Sequence, residues 1–142
     1  MFERFARDAR DVVFGAIAEA GRRGDRRVGT DHLVIAALTT PSAAEVVGAS
    51  ADDARRAADD LDRGALAAIG VDAAAFGPLG PAVGADRLPF TAGTKTVLRR
   101  ALALTVADRS RRLEAKHLVQ ALLERRAPDP AAELLARLRA SD

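Results

Sequence analysis

Apolar residues recur at helical spacing along most of the chain. Phe5, Ala9, Val12, Val13, Ala16, Ile17 and Ala20 fall on one face, with Arg7, Asp8, Arg10 and Asp11 between them. The pattern predicts an amphipathic helix of about 18 residues, ending where Gly21 and Gly24 loosen the chain. Thr30 is placed to cap a second helix, Asp31 to Leu38, which is apolar almost all round. Such a helix belongs at the centre of a bundle. Pro41-Ser42 opens a short third helix that closes near Gly48. Ser50 and Asp53 have capping-box spacing, with Asp in place of Glu, ahead of a longer helix through Ala54, Ala57, Ala58 and Leu61.

Between Gly70 and Pro89 the pattern breaks. Gly77, Gly80, Gly84, Pro78 and Pro81 oppose any regular element, so this stretch reads as a linker. Beyond it Thr91 is a good cap for a helix with Val97, Leu98, Ala101, Leu102 and Val106 on one face. A second central-looking helix, HLVQALL, follows, then a Pro-started helix carrying Leu134, Leu135 and Leu138.

The two stretches are copies of one another at a constant shift of 85 residues. Phe5 falls on Phe90, Arg10 on Lys95, Val12-Val13 on Val97-Leu98, and Arg26-Arg27 on Arg111-Arg112. His32-Leu33-Val34 falls on His117-Leu118-Val119, pairing the two histidines of the chain. Each half buries only one side alone, so pseudo-twofold packing is needed to close a core. The expected organisation is a single all-α domain, with one repeat at about 2–76, a linker at about 77–89 and a second repeat at about 90–140.

Composition agrees and narrows the classes. The 142 residues suit one domain. They include 33 alanines and 20 arginines against two lysines, and β-branched and aromatic residues are scarce, which favours helices over sheet. The net charge of +2 and the pI near 9.9 mostly report arginine's high pKa, because acidic residues are interleaved with basic ones. With no cysteine there is no disulfide framework and no thiolate zinc site. The opening MFERFARDAR has no apolar core of a signal peptide, and no stretch is long and apolar enough to cross a membrane, so a cytoplasmic domain is expected.

Chemistry is sparse. His32 and His117 begin the two most apolar helices without companions at metal-ligand spacing, and read as structural histidines near helix N-termini. Gly93-Thr94-Lys95-Thr96 lacks the earlier glycine and the adjacent Gly-Lys of a phosphate loop and lies inside a predicted helix. No nucleophile motif is present, so neither catalysis nor a cofactor is expected. The arginine pairs 22–23, 26–27, 111–112 and 125–126 raise the alternative of a basic helical nucleic-acid-binding regulator. Against it, Asp25, Asp108 and Glu124 dilute the pairs and no aromatic interleaves with them. A better candidate is a groove between the two first helices. Phe2, Phe5, Phe14 and Phe90 lie at or near their starts, and Arg10 and Lys95 are repeat-equivalent cations. An apolar floor flanked by two cations suits a peptide. Phe5 is as good a core plug as a groove residue, whereas Phe2, Phe14 and Phe90 are expected to be exposed.

GTDHLVIAAL, repeated as EAKHLVQALL behind a second amphipathic helix, resembles the duplicated Clp N-terminal repeat of ClpA- and ClpC-type AAA+ unfoldases. The opening MFERFARDARDVV is especially similar to the actinobacterial ClpC type. The resemblance implies an all-α pseudo-symmetric domain that docks client polypeptides, adaptor proteins or cyclic-peptide ligands for a proteolytic machine. It also implies that a surface at Phe2, Arg10, Val13, Phe14, Phe90 and Lys95 receives cyclic peptides, and that Asp31 contacts the guanidinium of a phosphorylated arginine. Three departures qualify it. No motor follows in this sequence, Glu114-Ala115-Lys116 replaces the cap and reverses the charge of Gly29-Thr30-Asp31, and the second half has one helix after Pro130 where two are usual.

Overall fold

A computed structural model describes residues 2–72 and 88–140; the expected linker lies almost wholly outside them. After a 3-10 turn at Phe2–Arg4, seven helices follow among the described residues: α1 Arg7–Arg22, α2 Thr30–Ala37, α3 Pro41–Val47, α4 Ala51–Ala68, α5 Ala92–Ala107, α6 Ala115–Leu123 and α7 Pro130–Ala140. α1 packs on α2 and α5 on α6, while α2 and α6 touch at the centre. α2 also meets α4 and α7. Every residue of α2 except Asp31 is buried, as its apolar circumference demands.

Alanine does much of the packing. Ala9, Ala16 and Ala20 of α1 and Ala36 and Ala37 of α2 are buried, and a Cβ on Gly15 would sit 3.3 Å from the Cβ of Ala36. Small side chains let the helices approach closely and replace bulk with contact density. α4 starts with the reciprocal box read from sequence: Asp53 N–H donates to Ser50 Oγ and Ser50 N–H to the Asp53 carboxylate, each at 3.0 Å. α4 runs on beyond Leu61 to Ala68, so the first half ends in a longer helix than the second.

The halves are joined by two single-residue parallel bridges that the repeat relates to one another, Phe5 with Leu113 and Val28 with Phe90. Ala6 N–H donates to the Leu113 carbonyl at 2.7 Å, and Leu113 N–H to the Arg4 carbonyl at 2.8 Å. The counterparts are Val28 N–H to Pro89 at 2.8 Å and Thr91 N–H to Val28 at 3.0 Å. Phe5, Val28 and Leu113 are fully buried at these crossings while Arg4 and Pro89, whose carbonyls accept, are exposed, so the backbone pairing runs along the margin of the apolar core. The residues that follow α1 and α5, Gly24 and Arg109, both take a left-handed conformation at equivalent positions.

Thr30 corrects one expectation. The cap of α2 is Gly29, whose N–H is taken by the ring of His32, so the Thr30 hydroxyl is released for a long-range task. It accepts from the Ala131 amide in the first turn of α7 at 3.0 Å and donates to Asp129 at 2.7 Å. Asp129 in turn holds Arg125. The equivalent of Thr30 is Ala115, whose amide instead donates to Asp8 of α1 at 3.1 Å. Thr30→Val should therefore lower stability by about 1–2 kcal/mol, because it strips a buried bond from a helix start in the other half. Urea denaturation measures this, and an unchanged midpoint would remove Thr30 from the fold's supports.

Candidate functional site

The two histidines are built alike. His32 Nδ1 accepts from the Gly29 amide at 2.8 Å, and His117 Nδ1 accepts from the Glu114 amide at 2.9 Å. Each ring so placed presents Nε2 to a carboxylate, Asp25 at 2.7 Å and Asp108 at 3.1 Å. An accepting Nδ1 carries no hydrogen, so the hydrogen sits on Nε2 and is donated to the carboxylate. Both rings are buried. They close the starts of α2 and α6 and leave no ring nitrogen for a ligand. No group of His, Cys, Asp or Glu among the described residues could hold a metal ion.

The carboxylate partners escape a constant-shift reading. Asp25 lies seven residues before its histidine and Asp108 nine, so Asp25 falls on Ser110 and Asp108 on Arg23. Asp108 accepts from His117, Ser110 and Lys116, which hold its carboxyl at about 2. Also missed is Glu19 on α1, buried against α4. Burial raises its pKa, but Arg22 at 2.7 Å and Arg55 at 3.1 Å outweigh burial and hold it below the usual carboxylate range. Arg23 reaches Asp59 and Asp62 beside it. One of the paired arginines, Arg23, is thus consumed by α4, and its neighbour Arg22 by Glu19 of α1 itself.

The residues expected to line the groove divide. Arg10 and Lys95 are exposed at equivalent positions on α1 and α5, and Phe14 is 57% exposed one turn after Arg10. Val13 is only 1% exposed and belongs to the core, where the apolar face of α1 turns inward; it offers no surface to a ligand. Phe5 is likewise a core residue. Phe90 is half-buried, packed against the core beside Val28, so its ring serves the fold at least in part. The side chain of Phe2 lies outside the described residues. Thr91 caps α5, accepting from the Thr94 amide at 3.1 Å, and Gly93 to Thr96 form the first turn of that helix. An apolar concavity lies elsewhere, at the C-terminal ends of α2 and α6, lined by Val34, Leu38, Val119, Leu122 and Leu123 with Leu135.

Asp31 and Lys116 have opposite surroundings. The Asp31 carboxylate folds back over Gly29, where a Cβ would come within 2.5 Å of its oxygen. Lys116 is held by Asp108 at 3.2 Å and Glu114 at 3.6 Å.

No protein-family model matches the chain, and no curated protein does. Among solved structures, the N-terminal domain of the caseinolytic protease associated chaperone ClpD from Arabidopsis thaliana superimposes with a TM-score of 0.71, over 98% of this chain and 89% of that one, at 21% identity. The fold is that of a Clp N-terminal domain. The Clp-type fold accounts for the all-α pseudo-twofold arrangement anticipated from the repeat, and no helix among the described residues is long and apolar enough to cross a membrane.

The Asp108 cluster carries a pH signature. Its carboxyl is depressed from 3.8 to about 2, so the folded state binds this proton more weakly than the unfolded chain. The associated stability is present above the ordinary carboxylate value and is lost as pH falls from 3.8 toward about 2. Asp108→Asn should flatten the acid limb of a thermal-melt series across that window. An unaltered slope would mean that the His117 contact contributes nothing measurable in solution.

Proposed function

We propose that the chain is a non-catalytic docking module. It binds polypeptide segments or cyclic-peptide ligands on the face shared by α1 and α5, serving as adaptor, decoy or sequestering protein in Clp-dependent proteolysis. The observation that carries this reading is the exposed aromatic of Phe14 beside Arg10, with the equivalent cation Lys95 on α5, on a Clp-type fold. Phe14 falls on Arg99 in the second half, so the shared core does not require an aromatic there. A large apolar side chain kept at the surface is the usual anchor of a recognition site. The half-buried Phe90 extends the apolar floor, and the backbone carbonyls of a cyclic peptide match the flanking cations.

The halves are not equal partners in this reading. Asp31, unopposed by lysine, is the group suited to a guanidinium, including that of a phosphorylated arginine. Lys116 would repel one and is already engaged by two carboxylates. Recognition of this kind belongs to the first half alone.

Phe14→Ser should weaken binding of a fluorescein-labelled, aromatic-rich cyclic peptide by about tenfold, the effect of losing one buried aromatic anchor. Its melting temperature should stay near wild type, because the ring lies mostly outside the core. Anisotropy titration and a parallel melt check both. Unchanged affinity with an unchanged melt would exclude this face.

A further inference from the structure

The fold consumes some of its arginines and leaves others unused. Arg22, Arg23 and Arg55 hold carboxylates where α1 meets α4, and Arg125 holds Asp129. Arg26, Arg27, Arg111 and Arg112 are exposed and form no ion pair among the described residues. They are two equivalent Arg-Arg steps, each placed directly before a buried bridge residue, Val28 or Leu113. At the Phe5–Leu113 bridge the chains run side by side, about 5 Å apart as paired strands do. Phe5 and Leu113 face inward, so the residues one step earlier, Arg4 and Arg112, face outward together. Like charges set side by side in this way repel. Two neighbouring carboxylates are occupied, Asp8 by the Ala115 amide and Glu114 by Lys116, leaving Glu3 as the acidic residue of the turn.

We infer that this corner, where Arg4 lies beside Arg112 and the equivalent bridge has Pro89 in the place of Arg4, docks an acidic segment of a partner polypeptide. The inference rests on the docking reading above and names the class of polypeptide. Each guanidinium can take one carboxylate in a two-pronged geometry, so a few suitably spaced carboxylates suffice. Nucleic acid fits less well. Its phosphates form an unbroken line, one charge in about 1.7 Å of duplex, whereas the unpaired arginines here come as separate two-residue steps. The chain also has no Tyr or Trp for bases to stack on.

The test uses the full chain and three labelled peptides of equal length. They share one Phe anchor and differ only in carrying Glu, Gln or Lys elsewhere. The Glu peptide should bind about tenfold tighter than the Gln peptide at low salt, the Lys peptide most weakly, and the preference should shrink as salt rises. Arg111→Ser with Arg112→Ser should abolish the preference without moving the melting temperature, and Lys at both positions should restore most of it. Equal binding of the Glu and Gln peptides, both lost in Phe14→Ser, overturns the acidic preference and leaves the docking face standing. Glu-peptide binding that survives Phe14→Ser but fails in the arginine variant supports the corner and overturns the α1–α5 groove. An oligonucleotide that outcompetes the Glu peptide overturns the polypeptide assignment. No binding of any peptide overturns both readings.

Discussion

Two backbone bridges at the margin of the core tie the halves together, and most of the remaining structure follows from their placement. Each joins the residue leading into one half's first helix to the residue leading into the other half's second helix. Neither half completes that pairing alone, because an amide or carbonyl stripped of water and left unpaired is costly. The four hydrogen bonds therefore make the halves interdependent in a way that apolar contact between smooth helices would not. They also fix register. With Phe5, Val28 and Leu113 pointing inward, their chain neighbours Arg4, Arg27 and Arg112 are forced outward.

Around that shared frame the halves have diverged in how they close their helix starts. Both use a buried histidine to take the amide of the capping position, and both anchor its other nitrogen on a carboxylate, but from different positions in the preceding loop. The first half sends Thr30 across to the start of α7, while the second sends a backbone amide, at Ala115, across to Asp8. The start of α2 is thus tied through a hydroxyl and the start of α6 through an aspartate of the other half. The two ties reach different elements, the start of α7 in one case and the first turn of α1 in the other.

Much of this was legible in the sequence, for physical reasons that also mark the limit. The helices were readable because their apolar faces keep strict periodicity, and the duplication because the shift of 85 runs without a gap from Phe5 to Leu38. The Ser50–Asp53 box and the Thr91 cap were readable because their partners are three residues away. The task of Thr30 is hidden for the opposite reason: its partners lie 99 and 101 residues off, and no local rule reaches them. Val13 was offered as a surface residue although its spacing with Ala9, Ala16 and Ala20 already placed it on the inner face. Glu19 gave no warning of burial, since its neutralising arginine sits on another helix.

The substitution of Lys116 for Asp31's counterpart is coupled to its neighbour. In the first half the carboxylate of Asp31 lies against the backbone at Gly29, and a side chain there would collide with it. Once the acid is replaced by lysine, that constraint lapses, and the second half carries Glu114 in the glycine's place. Glu114 then helps to hold the lysine together with Asp108. Reversing the charge at position 116 alone would set a new carboxylate beside both Glu114 and Asp108. The two substitutions form one unit, and together they turn an open acidic position into a self-neutralised one. The pseudo-symmetric fold therefore presents an asymmetric surface, acidic at Asp31 and neutralised at Lys116.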